Sequence, residues 1–373
     1  MSTTQPISQI ALFRIRIPLT EPFVTSLGRD EFADNIVVRL QTGQGLTGFG
    51  ECNPYMPING ESAETCWVVG QYLARALAGR DALDLAGCLH QMDRVIYANY
   101  SIKSAFDMAL HDLASQHAGL PLYRFLGGRK NKPLCTDYTV SLGDPDRMAA
   151  EAKKIQDQGY PAIKVKLGES HRGDVERIRA IRRAVGRKIP VRIDANQGWD
   201  YATARRTLRD LGEYRIQFCE QPIPRWDVEG LRRLRRRSPI PVMADESCGT
   251  APEAARLIRE KACDLINVKL GKSGGLAEAG RIIRLAEKAE LPLQIGAFME
   301  SRLGMTAFAH LALSSRIIKF CDFDTALMYT EDPVEGGLIY QPGGQLRLPE
   351  APGLGARIRQ DWLDRSEKWV SGK

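Results

Sequence analysis

The sequence predicts an α/β protein, a (β/α) barrel of the TIM type joined to a smaller α+β domain. Strand-like runs begin near Thr136, Ala162, Val191, Ile216, Val242, Leu265, Leu293 and Ile318, about 25 residues apart. Segments of helical period such as DVERIRAIRRAVG and AGRIIRLAEKAE separate them. Most of the runs end in a charged residue, which aims charge out of the carboxyl end of the strand. Eight such units fill about 190 residues, the length of a (β/α) barrel. The rival arrangement, an open doubly wound sheet, is disfavoured because no glycine-rich phosphate loop follows the first strand.

Composition narrows the function classes. A chain of 373 residues with 43% hydrophobic residues can fill two cores, and its formal charge of +7 is modest for that size. The run Arg232 to Arg237 falls in a segment between two barrel strands, where a solvated helix face explains it, so no nucleic-acid partner is expected. No apolar stretch approaches membrane-spanning length and no leader-like start is present, so no membrane partner is expected either. The eight cysteines are scattered without a CxxC pair, which suits reduced thiols and a cytoplasmic location.

In chain order, residues 8 to 50 alternate as an antiparallel meander with a long loop, EPFVTSLGRDEFAD, between its first two strands. That loop carries Thr25 and Arg29, and an arginine there would grip a carboxylate of a substrate if it faces the site; otherwise it is solvated. The stretch Asn53 to Ser62 is a second irregular segment, and the two together are candidates for a lid. Helical period holds from Ser62 to about Leu126, with His111 reading as a structural histidine. These features give a domain at 1–130, a barrel at 131–330, and a turn-rich tail at 331–373 that would return to the first domain.

The stretch from Asp194 to Lys269 holds the chemistry. It reads RIDANQGW, FCEQPIP, PVMADESCG and LINVKLGKSGG, so three successive strands end at Asp194, Glu220 and Asp245, 26 and 25 residues apart, and a fourth at Lys269. Groups at the carboxyl ends of barrel strands converge on one mouth. Three carboxylates there repel one another unless a cation sits among them, and oxygen ligands suit Mg²⁺ or Mn²⁺ better than zinc.

The second strand, PAIKVKLGES, places Lys164 and Lys166 on one face by its period of two. Two ammonium groups side by side should depress each other's pKa toward a value useful for a base. Lys269, at the end of the sixth strand, lies roughly across the barrel. Amines on opposite sides of one carbon suit 1,1-proton transfer. The seventh strand delivers Glu300, with Phe298 before it, and the eighth delivers Asp322 and Asp324 on one face. Those two acids would bind a cationic part of a substrate, such as an α-ammonium group, or pair with Arg302 or Lys319.

The ordered set KVK, DANQGW, EQP, ADES, NVKLGKSGG, ESRLG and DFD resembles the enolase superfamily, muconate-lactonizing-enzyme subgroup, over nearly the whole chain. The resemblance implies a modified (β/α)7β barrel under a capping domain. It further implies Mg²⁺ on Asp194, Glu220 and Asp245, acid/base catalysis by Lys166 and Lys269, electrostatic help from Lys164, support of the metal shell by Asn196, and a hydrogen bond from Glu300 to the substrate carboxylate. The reaction it implies is proton abstraction beside a carboxylate through a metal-stabilised enediolate, in a symmetric homo-oligomer. The pair Asp322 and Asp324 resembles the Asp-x-Asp of dipeptide epimerases of the L-Ala-D/L-Glu type, where it holds the dipeptide's ammonium. The reading is therefore an isomerase that inverts the C-terminal residue of a dipeptide, with Arg29 the partner of an acidic side chain. Epimerisation or dehydration of proline betaine or hydroxyproline is the alternative, and Trp199, Phe298 and Tyr55 are the aromatics near the mouth that would cage a betaine. Muconate cycloisomerisation and N-acylamino acid racemisation belong to the same subgroup. A non-catalytic barrel has no use for both lysines and all three acids.

Overall fold

A computed structural model describes residues 4–371. Its first sheet has the order Glu367–Val370, β1 (Ile7–Thr25), β2 (Gly28–Thr42), β3 (Thr47–Cys52), all antiparallel. The stretch read as a long loop between the first two strands is itself strand. Ladder pairing resumes at Phe23 opposite Asp30 after an irregularity at Pro18, and closes at Thr25 opposite Gly28 around Ser26 and Leu27. The polar composition of that stretch hides a ribbon that projects beyond the sheet, where neither face needs to be apolar throughout.

One face of this sheet packs on helices Ala63–Leu77 and Tyr100–His117. The second of these is buried at every position from Ser101 to Ser115, because it lies between the cap sheet and the barrel. Gly48 and Gly50 of β3 permit that approach: a Cβ on either would collide with the backbone oxygens of Ala109 and Ala105.

The larger sheet contains eight parallel strands: Tyr138–Val140, Ile163–Lys166, Val191–Asp194, Ile216–Glu220, Val242–Ala244, Leu265–Val268, Leu293–Gly296 and Ile318–Asp322. They run in sequence order around the barrel, and a parallel bridge between Thr136 and Cys321 joins the last strand to the start of the first. Helices from Pro145–Asp157 to Arg302–Ser314 fill the seven connections, and a 3₁₀ turn, Thr325–Met328, follows the eighth strand. The barrel is thus of the (β/α)7β kind. Aspartate or Ser/Thr side chains cap most of the helix starts, Asp144, Ser170, Asp200, Asp227 and Thr250 among them.

A buried acid at the end of β3 joins cap and barrel. Glu51, 1% exposed, accepts from Asn35 Nδ2 (2.7 Å), Ser301 N (3.0 Å), Ser301 Oγ (2.7 Å) and Gly304 N (3.0 Å). Four donors satisfy a carboxylate that burial would otherwise make costly. Among the described residues no helix is long and apolar enough to cross a membrane.

Candidate active site

The carboxyl ends of the barrel strands open into a cleft roofed by the β1–β2 hairpin and by the segment holding Asn53, Tyr55 and Ile58. Lys164, Lys166, Lys269, Asn196, Thr25, Phe298, Asp322 and Asp324 all line it. Alternation along Ile163–Lys166 turns both of its lysines inward, and both are buried.

Beneath the lysines lie Asp194, Glu220 and Asp245, each with no exposed surface. Lys164 Nζ sits 3.2 Å from Asp194, 3.0 Å from Glu220 and 2.7 Å from Asp322. Lys166 Nζ lies 2.7 Å from Asp194 Oδ2, and Lys269 Nζ lies 2.9 Å from Asp245 Oδ2. At Lys164 these contacts outweigh the expected depression by a neighbouring ammonium group. Burial does push the Lys164 ammonium down, but Asp322, Glu220 and Asp194 push it further up, and Asp245 and Glu220 do the same for Lys269. In this state both lysines are firmly protonated.

Burial and then Asp194 push Glu220 up, with Asp245 adding to them, whereas Lys166 and Lys164 hold Asp194 below its usual range against burial and against Asp245. Asn267 Nδ2 donates to Glu220 Oε1 (2.7 Å), and Asn196 N donates to Asp194 Oδ1 (2.9 Å). Among the described residues no three His, Cys, Asp or Glu side chains close into a cation-holding cluster as they stand, since the lysines supply the positive charge between them. The donor set nevertheless fits a hard divalent ion: three buried carboxylates on adjacent strands, all oxygen, oriented by amides.

Asn196 and Gln221, just beyond two of these strands, hold left-handed backbone with φ of 41° and 33°. Such strain in non-glycine residues gathers where side chains must be aimed. Asn196 Oδ1 accepts from Lys166 (3.1 Å), and its Nδ2 donates to Glu246 (3.3 Å).

Asp322 and Asp324 do share a face, but neither Arg302 nor Lys319 is their partner. Arg302 pairs with Asp332, and Lys319 is exposed. Asp324 accepts from Thr139 N at 2.6 Å, and its carboxyl is pushed above its usual range by burial and then by Asp322 and Asp137. Glu300 is not among the cleft-lining residues. Its carboxylate turns back to accept from Phe298 N (2.7 Å), and burial, reinforced by Glu51, pushes it up to about 8. Arg29 is not brought to the site either: it is mostly exposed and pairs with Glu31 at 3.3 Å. Trp199 is buried against Asp174, so the aromatic lining consists of Phe23, Tyr55 and Phe298. The rings of Phe23 and Phe298 stand 5.7 Å from Lys166 Nζ and 4.9 Å from Lys269 Nζ respectively.

Two site residues escaped the sequence reading. Lys272, in the turn Leu270–Ser273, folds back onto Asp245 Oδ1 and donates to Asn267 O at 2.9 Å. Asn267 lies two residues before Lys269 in LINVK, so its inward direction was available from period two alone.

Family models match both parts of this architecture. The N-terminal domain of mandelate racemase / muconate lactonizing enzyme matches residues 8–127, and the enolase C-terminal domain-like family matches residues 147–362. The chain belongs to this enolase superfamily. Among curated superfamily members it is 52% identical to the D-Ala-D/L-Ala epimerase of Cytophaga hutchinsonii, over 97% of this chain and 98% of that one. It is 38% identical to the L-Ala-D/L-Glu epimerase of Bacillus subtilis, over 94% of this chain and 96% of the relative. Among solved superfamily structures, a dipeptide epimerase of Cytophaga hutchinsonii complexed with Mg and D-Ala-L-Val superposes with a TM-score of 0.97 at 52% identity, covering 98% of this chain and 99% of that one.

Proposed function

We propose that this protein is a Mg²⁺-dependent dipeptide epimerase that inverts the α-carbon of the second residue by two-base 1,1-proton transfer. The observation that carries the reading is the placement of Lys166 and Lys269, on the second and sixth barrel strands, at one cleft that also presents two strand-terminal acids. The similarity to superfamily members that act on dipeptides supports it.

In this reading Asp194, Glu220 and Asp245 hold the cation, with Asn267 and Asn196 orienting them. When bound, Mg²⁺ supplies Lewis-acidic charge at the substrate carboxylate. One lysine removes the α-proton from one face and the other returns a proton to the opposite face, with the roles exchanged for the reverse reaction. A lysine that acts as base must first lose its hold on a carboxylate, since Lys269 as it stands on Asp245 is an acid. Lys164 faces the charge that develops on the substrate carboxylate. Asp324, with Asp322 beside it, receives the dipeptide's ammonium. The unpaired cysteines suit a reducing, cytoplasmic setting, and a homo-oligomeric assembly belongs to the same reading.

The test is ¹H NMR in D₂O with Mg²⁺ on Ala-Ala, Ala-Val and Ala-Glu in L,L and D,D series, alongside proline betaine and N-acylamino acids. Loss of the second residue's α-proton signal with growth of the epimer is the expected result. Exchange confined to a betaine or an N-acylated substrate would overturn the reading. Lys166→Ala and Lys269→Ala should each lower kcat by about 10²–10⁴-fold while the protein stays folded.

A further inference from the structure

The hairpin over the cleft presents an acid. In the β1–β2 ladder Val24 faces Arg29 and Phe23 faces Asp30. Alternation therefore divides the hairpin's charges between its two faces. Arg29 and Glu31 share the outer face, where they pair in solvent. Asp30 and its cross-strand partner Phe23 share the inner face, and both line the cleft.

Asp30 is half-buried, and it lines the cleft together with Tyr55 and Thr25. Tyr55 in turn packs on Phe298, with ring centroids 6.2 Å apart, and Phe298 carries Lys269 above its ring. A contiguous wall thus runs from Lys269 through Phe298 and Tyr55 to Asp30. The two strand-terminal acids, Asp322 and Asp324, belong to a different part of the cleft, beside Lys164 and Thr139. The cations that line the cleft are Lys164, Lys166 and Lys269, and each ammonium rests on a carboxylate beneath it. Among the described residues the roof supplies none.

We propose that Asp30, on the inner face of the hairpin beside the Tyr55 and Phe298 wall, is a specificity-determining residue that admits neutral and cationic side chains on the residue being inverted and rejects acidic ones. This rests on the dipeptide-epimerase reading. With the α-carbon between Lys166 and Lys269 and the ammonium at Asp324, the second side chain is left the wall of Phe298, Tyr55 and Asp30. An acidic side chain on that wall meets a like charge where water is partly excluded, whereas an amide, an aliphatic group or an ammonium does not.

The test compares kcat/KM for Ala-Glu, Ala-Gln and Ala-Lys, followed by α-proton exchange, in the wild type, Asp30→Asn and Asp30→Ser. The wild type should prefer Ala-Gln over Ala-Glu by at least about tenfold, as like-charge exclusion implies. Both variants should bring that ratio toward one and reduce the rate with Ala-Lys, while a circular dichroism spectrum like that of the wild type reports that they are folded. Equal wild-type rates with Ala-Glu and Ala-Gln, or a ratio unmoved in both variants, would overturn this proposal alone. Absence of exchange with all three peptides would overturn the epimerase reading and this proposal with it.

Discussion

Lys164 Nζ and Asp322 Oδ2 lie 2.7 Å apart, so one of the two acids at the end of the eighth strand is already neutralised from within the site. Asp324, two residues on, is held by a backbone amide instead. The pair that looks equivalent in DFD is therefore divided by function, and Asp324 is the acid available to a substrate ammonium. Asp324→Asn should raise KM for dipeptides by about tenfold or more, the effect of losing roughly 1.4 kcal/mol of binding, and more than Asp322→Asn does. Peptides formylated at the amino group should narrow that difference. Steady-state kinetics on the two variants with both peptide forms provide the measurement.

Lys272 meets Asp245 at Oδ1 and Lys269 meets it at Oδ2, and the two ammonium groups together hold that carboxylate well below its usual range against the effect of burial. Removal of Lys272 leaves Asp245 without the group that fixes its Oδ1. By analogy with other groups that orient metal-bound carboxylates, Lys272→Ala should weaken Mg²⁺ by about 10–100-fold. Titration of activity against Mg²⁺, with a shift of the midpoint larger than any change in kcat, reads this directly.

Glu300 carries a pH dependence whose sign follows from its surroundings. Its carboxyl titrates at about 8 in the folded chain, against an ordinary value of 4.5. The folded state therefore holds a proton that the unfolded chain has released at intermediate pH. The contribution of this group to stability is complete below 4.5 and is lost as pH rises through 8. Thermal unfolding of the metal-free protein between pH 5 and 9 should show Tm falling with pH. Glu300→Gln, which keeps a neutral side chain of the same shape, should flatten that slope.

Glu51 joins the cap to the barrel by four hydrogen bonds, to Asn35 on one side and to Ser301 and Gly304 on the other. Glu51→Ala would take this acceptor from Ser301 N, Ser301 Oγ and Gly304 N, while Asn35 Nδ2 keeps Met299 O at 3.0 Å. At about 1–3 kcal/mol for each such group, the variant should lose most of the protein's stability, and Glu51→Gln should lose less. Denaturant unfolding of the two variants distinguishes them.

The barrel was legible because its strands recur with a regular spacing and end in charge. Lys164, Lys166 and Lys269 were legible for the same reason, since a period of two fixes direction within a strand. Lys272 was not, because it lies in a helical turn where that period no longer applies. The roles of Arg29 and Asp30 were missed for want of a register: read as loop, the stretch had no inside or outside, and a shift of one residue exchanges the two. The protonation of Lys164 was misjudged because strand order alone did not reveal how closely Asp322 approaches it.

The strand Glu367–Val370 closes the cap sheet by pairing with β1, and beyond it Ser371 accepts from Ile10 N across a sequence separation of 361 residues. A ribosome therefore releases β1 with one edge open and keeps it so while the entire barrel is synthesised. That edge is a template for wrong partners throughout, and the contacts that seal it are the most distant in sequence that the chain makes in this sheet. The cap sheet therefore gains its fourth strand only once the barrel's sequence has been made, so the cap depends on contacts that arrive after those of the barrel.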